Sequence, residues 1–103
     1  MIIRIVKMTF LPERVNEFLV VFTASKNKIR GFEGCSKLKL LKQTGLDNVY
    51  FTYSYWESEY HLNNYRNSEL FKSTWAKTKI LFSTAPEAYS MDAIETVDNS
   101  QKS

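Results

Sequence analysis

Lys7 is the first side chain that could do chemistry. It lies in residues 2–10, a segment that is otherwise mostly β-branched and apolar. An ammonium buried there loses hydration and its pKa falls, which makes it a base; kept protonated, it stabilises an anion. The alternative is a lysine near the strand's edge that snorkels to water. Tyr65 offers a hydroxyl that could hydrogen-bond a substrate oxygen, or it is a packed helix aromatic with its hydroxyl at the surface. His61, the single histidine, precedes Tyr65 by four residues and shares its helix face. It is either a base at a pocket mouth or an exposed helix residue. Phe71 and Trp75 are one helical turn apart, as pocket wall or as core. Tyr53 is a possible polar handle on a sheet, or simply packed there.

Other chemistries lack their residues. One His and one Cys cannot build a His/Cys metal site, and Cys35 cannot form an internal disulfide. Cys35 reads as a small buried hydrophobe. No Gly-rich phosphate loop or nucleotide fingerprint occurs. No cofactor and no metal is expected. The net charge is +3 and the pI about 9.0. The cations Lys26, Lys28 and Arg30, and Lys37, Lys39 and Lys42, are loosely grouped, with Glu13, Glu17, Glu33, Asp47 and Glu57 interspersed. That is too diffuse for a nucleic-acid footprint. No signal peptide and no membrane-length apolar run is visible. A cytoplasmic protein is expected, the lone cysteine suiting a reducing compartment.

The elements that must position these residues follow from periodicity. At 103 residues the chain holds one domain able to bury its own core. Residues 2–10 read as a buried strand. Leu11-Pro12-Glu13 opens a helix with Val15, Phe18, Leu19, Phe22 and Ile29 on one stripe, and Gly31 is its expected stop. Residues 35–43 and 49–56 form a hairpin across Thr44-Gly-Leu-Asp-Asn48. Residues 58–65 read as a short helix. Asn67-Ser68 caps another, with Phe71, Trp75, Thr78 and Phe82 inward. Ser83 to Pro86 breaks the pattern, residues 87–97 form a last strand, and 98–103 are a polar tail. The domain is therefore placed at 1–97. The order is βαββαβ: an α+β, ferredoxin-like fold with a four-stranded antiparallel sheet and both helices on one face.

Two helices cover only one face of a sheet. Residues Val49, Phe51, Tyr53 and Tyr55 alternate with Tyr50, Thr52, Ser54 and Trp56, and neither set reads as wet. Residues 2–8 repeat this. A bare apolar face of that size is unusual on a monomer. A homodimer through facing sheets is expected, burying on the order of 2,000 Å² in total.

These residues carry a resemblance. Tyr55-Trp56-Glu57-Ser58-Glu59, followed by Leu62, Tyr65, Ser68 and Phe71, with Gly31-Phe-Glu-Gly34 upstream, resembles the antibiotic biosynthesis monooxygenase (ABM) domain of the dimeric α+β barrel group. The likeness spans nearly all of residues 1–97. There are departures: the family's frequent histidines fall on Tyr65 and Leu70. The haem-degrading branch uses an Asn, a Trp and a His, which fall on Lys7, Tyr65 and Trp75. None is retained, and an indole cannot serve as an axial ligand.

The resemblance implies a cofactor-independent monooxygenase acting with molecular oxygen on a small aromatic or quinol-like compound. The substrate loses a proton and its anion passes an electron to oxygen. The protein supplies a dry aromatic pocket, a proton acceptor and a stabiliser of the anion. Lys7 and Tyr65 would contact the reacting oxygen, with Tyr53, Phe71, Trp75 and His61 around the substrate. The alternative is a dimeric module that binds or senses a small hydrophobic ligand without turning it over, as the missing histidines suggest. A third option is a structural dimer with a filled pocket.

Overall fold

The computed structural model describes residues 1–97; the polar tail expected at 98–103 lies outside the described residues. The first strand, β1 (Ile2–Phe10), runs into a 3-10 turn at Pro12–Arg14 and then helix α1 (Val15–Arg30). The hairpin β2 (Cys35–Lys42) and β3 (Val49–Trp56) follows, then α2 (Glu59–Arg66), α3 (Glu69–Lys79) and β4 (Phe82–Asp92). The sheet is antiparallel in the order β2-β3-β1-β4, as the βαββαβ reading requires.

Local chemistry explains the boundaries. Pro12 sits in the opening turn, where its missing N–H is not needed. Ser58 and Ser68 cap α2 and α3, accepting from the backbone N–H groups of His61 and Phe71 at 3.3 and 3.1 Å. Each cap satisfies a donor the helix itself leaves orphaned. Gly31 closes α1, as the sequence predicts, with an ordinary right-handed φ of −83°. The left-handed residue of the connection to β2 is Gly34, with φ of +89°.

The last strand differs from expectation. It begins at Phe82, passes through Pro86 and ends at Asp92; residues 93–97 are not strand. Proline is tolerated because β4 is an edge strand and because Met8 of β1 faces two residues, Ala85 and Pro86, across a register shift. A bulge on an edge needs no donor there. Phe82 is consequently a strand residue, although its ring still meets Phe10 and Trp75 at 5.3 and 5.6 Å.

The core fills the space between sheet and helices. Phe10, with 0% exposure, stacks on Phe18 at 4.2 Å, and Tyr50, Met8 and Leu81 close around them. Each such side chain contributes about 1.5–3 kcal/mol of transfer free energy. A second cluster joins Trp56, Leu62 and Cys35 under α2. Between the two clusters the packing is incomplete, and a cavity remains.

The opposite face carries Ile3, Ile5 and Lys7 of β1 against Tyr55, Tyr53 and Phe51 of β3, flanked by Tyr89 and Met91. Tyr89 and Met91 are 47% and 46% exposed. Among the described residues no helix covers this face.

Candidate functional site

The cavity measures about 370 Å³, within the range of small-molecule sites (about 300–1,000 Å³). Its floor is the helix-facing side of the sheet, including Val6, Met8, Thr52 and Ser54; its roof is built by Phe22 of α1, Tyr65 of α2, and Phe71 and Trp75 of α3. Both tryptophans of the chain line it.

Three of the six expected site residues converge here. Tyr65 stacks on Trp56 at 4.8 Å and meets Phe71 edge-on at 5.3 Å; Phe71 in turn stacks on Trp75 at 5.9 Å. The result is a continuous aromatic wall suited to a flat ring. The Trp56 indole N–H donates to the Ser54 hydroxyl at 3.0 Å, which fixes the indole plane. Ser68 secures the wall's far end, donating to the Tyr65 carbonyl at 2.6 Å while capping α3.

Burial pushes the Tyr65 phenol well above its ordinary pKa, with the nearby Cys35 thiol adding to the effect. The hydroxyl therefore stays protonated and acts as a donor, not a base. Among the described residues it makes no hydrogen bond, so that donor is available to a ligand.

The other three residues lie elsewhere. Lys7 is on the uncovered face, 3.9 Å from Glu87, with a side chain 37% exposed. It lies beside Glu87 and does not line the cavity. Tyr53 is also on that face, with its ring 5.4 Å from Tyr55. His61 belongs to the helix-docking contact: its Nδ1 is 2.7 Å from Ser58 Oγ, and its ring lies over Gly34. It is 3.8 Å from Glu33 and does not face the cavity.

Sequence reasoning passed over two residues, Arg4 and Arg66, which line the cavity beside Tyr65 and Trp56. Arg4 occupies a helix-facing position of β1 between Ile2 and Val6, where alternation calls for an apolar side chain. It donates to Ser90 Oγ of β4 at 2.9 Å. Burial, and then the charge of Arg66, lower its pKa. Arg66 ends α2 and is exposed, which marks that end as the mouth. The signal was a lone cation at an inward position of a buried strand.

Comparison with known proteins fits this geometry. The family model described as antibiotic biosynthesis monooxygenase matches residues 1–77. The chain belongs to the antibiotic biosynthesis monooxygenase family. A search of the curated proteins gives no match. Solved structures share the family fold. A Caulobacter crescentus protein described as an antibiotic biosynthesis monooxygenase superposes with a TM-score of 0.85 at 23% identity, covering 91% of this chain and 90% of that one. A conserved protein from Methanosarcina mazei gives 0.82 at 21% identity, covering 87% and 90%. SnoaB, a cofactor-independent oxygenase from Streptomyces nogalater, gives 0.81 at 18% identity, covering 93% and 95%. In this family member the motif from Trp56 to Phe71 is the unit that docks α2 and builds the aromatic wall.

Among the described residues no helix is long and apolar enough to cross a membrane, and no cluster of three or more His, Cys, Asp or Glu side chains is arranged to hold a metal.

Proposed function

We propose that this protein is a cofactor-independent monooxygenase that oxidises a small aromatic or quinol-like compound with molecular oxygen inside this cavity. The observation that carries the reading is the aromatic wall with the protonated Tyr65 hydroxyl beside it. A ring phenol loses its proton, and the phenolate passes an electron to O₂, with the ring carbon para to that oxygen as the site of attack. A C–O bond forms, and loss of water leaves a ring carbonyl. In balance, a phenol HO–Ar–H + O₂ gives the quinone O=Ar=O + H₂O, with every electron supplied by the substrate. Tyr65 donates to the anionic ring oxygen, and the wall holds the ring out of water.

Among the described residues the cavity lining contains no Asp, Glu, His or Lys. The proton therefore leaves to water at the mouth, where Arg66 is exposed. Oxygen uptake with a panel of quinols and polycyclic phenols tests the reading. Turnover above the protein-free rate is expected. It should fall about 10–150-fold in Tyr65→Phe, the worth of one hydrogen bond to a charged group. No uptake with any of the panel would overturn it.

The same absence of a base supports a second reading, a module that binds or senses a small hydrophobic ligand. Tight binding without oxygen consumption distinguishes it.

The working unit in this proposal is a homodimer joined through the uncovered sheet faces. Ile3, Ile5, Phe51 and Tyr55 supply the apolar centre of such an interface. Sedimentation of the wild type at micromolar concentration should give a dimer, and Ile5→Asp a monomer.

A further inference from the structure

The two arginines at the cavity need an explanation that an apolar ring alone does not give. Arg4 lines the cavity from a half-buried, helix-facing position of β1, and Arg66 lines the same space from the end of α2. Among the described residues neither has a carboxylate within 4.0 Å; the ion pairs are Lys7–Glu87, Arg14–Glu17 and His61–Glu33. Of the five N–H donors of Arg4, one bond is made, to a neutral serine. Two like charges thus border one cavity and disfavour each other, the half-buried Arg4 bearing the effect. Among the described residues no acidic side chain lines the cavity to offset them. An anion placed between them would relieve the repulsion and use forked donors suited to paired oxygens.

We propose that Arg4 and Arg66 make this cavity selective for a ring compound carrying an anionic oxygen group, a ring carboxylate or an ionised phenol, with the ring laid against Trp56, Tyr65 and Trp75. This deepens the oxygenase reading by naming its substrate class, and it rests on the same cavity. It also accounts for the missing base: a substrate that enters as an anion, or is made more acidic by two guanidiniums, requires less of a protein proton acceptor. Arg4 and Arg66 are then specificity-determining residues.

The test is calorimetric binding of 2-naphthoate against its neutral counterpart, 2-naphthylmethanol, to the wild type and to Arg4→Met and Arg66→Met. The wild type should hold the carboxylate about tenfold or more tightly than the alcohol. Each methionine variant should lose most of that preference while keeping a cooperative urea transition, which shows that it is folded. 2-Naphthol serves as the phenol arm, and its affinity should rise with pH as it ionises. A carboxylate preference without phenol pH dependence assigns the site to carboxylates; the converse assigns it to phenolates. Equal affinity for all three at every pH, or a preference that survives both substitutions, overturns the proposal. Selective binding with no oxygen uptake by any quinol removes the oxygenase reading and leaves this one standing.

Discussion

Gly34 provides the sharpest structural test, because two separate costs meet there and a second glycine isolates one of them. Gly34 has φ of +89°, and a Cβ built on it would lie 2.4 Å from both Cβ and Cγ of His61. Ordinary contact begins near 3.4 Å, so α2 must back away by about 1 Å. Gly45 has nearly the same φ, +87°, but nothing within 4 Å of the added atom. Alanine at either site pays about 1–2 kcal/mol for the left-handed backbone. At Gly34 the overlap adds about 1–3 kcal/mol of the kind seen in overpacked interiors. Gly34→Ala should therefore cost about 2–5 kcal/mol and Gly45→Ala about 1–2 kcal/mol, measured by urea unfolding at equal slope. For a domain of this size the first corresponds to a drop in Tm of roughly 10 °C or more. Because α2 carries Tyr65, ligand affinity should weaken in Gly34→Ala and not in Gly45→Ala. If the two variants are equally stable, the docking of α2 through His61 onto Gly34 is wrong.

Other expectations follow from single groups. Ser68→Ala removes the α3 cap and the bond to the Tyr65 carbonyl and should cost about 1 kcal/mol in urea unfolding; no loss would mean that the cap is replaced by water. Tyr65 has a folded pKa raised above its unfolded value of about 10, so the unfolded state releases its proton first. Stability is intact below about pH 10 and is lost as pH rises from there toward the folded pKa. Tyr65→Phe should remove that part of the alkaline decline, read from Tm between about pH 9 and 11; an unchanged decline would count against its burial. Burial likewise holds the Cys35 thiol above its ordinary pKa, despite opposing contributions from the Lys37 backbone and Arg30. Alkylation by iodoacetamide at neutral pH should be slow in native protein and fast in urea.

Much of the fold was legible because its elements are locally consistent. The β-branched run at 2–10, the cap at Ser68 and the hairpin at 35–56 each specify one state, and the structure keeps them. What failed did so for identifiable reasons. Pro86 looked like a break because its tolerance depends on lying in an edge bulge, a property of the whole sheet. The sites at Lys7 and Tyr53 required knowing which sheet face meets the helices. Alternation could not decide that, since both faces of β1 and β3 are apolar. Phe71 and Trp75 were legible because helical spacing places them on one inward stripe of α3, whereas Tyr65 stands on the separate helix α2 and was singled out by its place in the motif after Trp56. Arg4 was legible in principle as a cation among Ile2, Val6 and Met8, but its meaning appears only when α2 brings Arg66 to the same cavity.

The central claim is that ring oxidation by O₂ takes place against the wall formed by Trp56, Tyr65 and Trp75. Product analysis after turnover under ¹⁸O₂, with the best substrate from the quinol and polycyclic phenol panel, tests it most directly. The account predicts one labelled atom in the new ring carbonyl, the other in water, and loss of this product in Trp75→Ala. Product formed at the protein-free rate, or an unlabelled carbonyl, would contradict it.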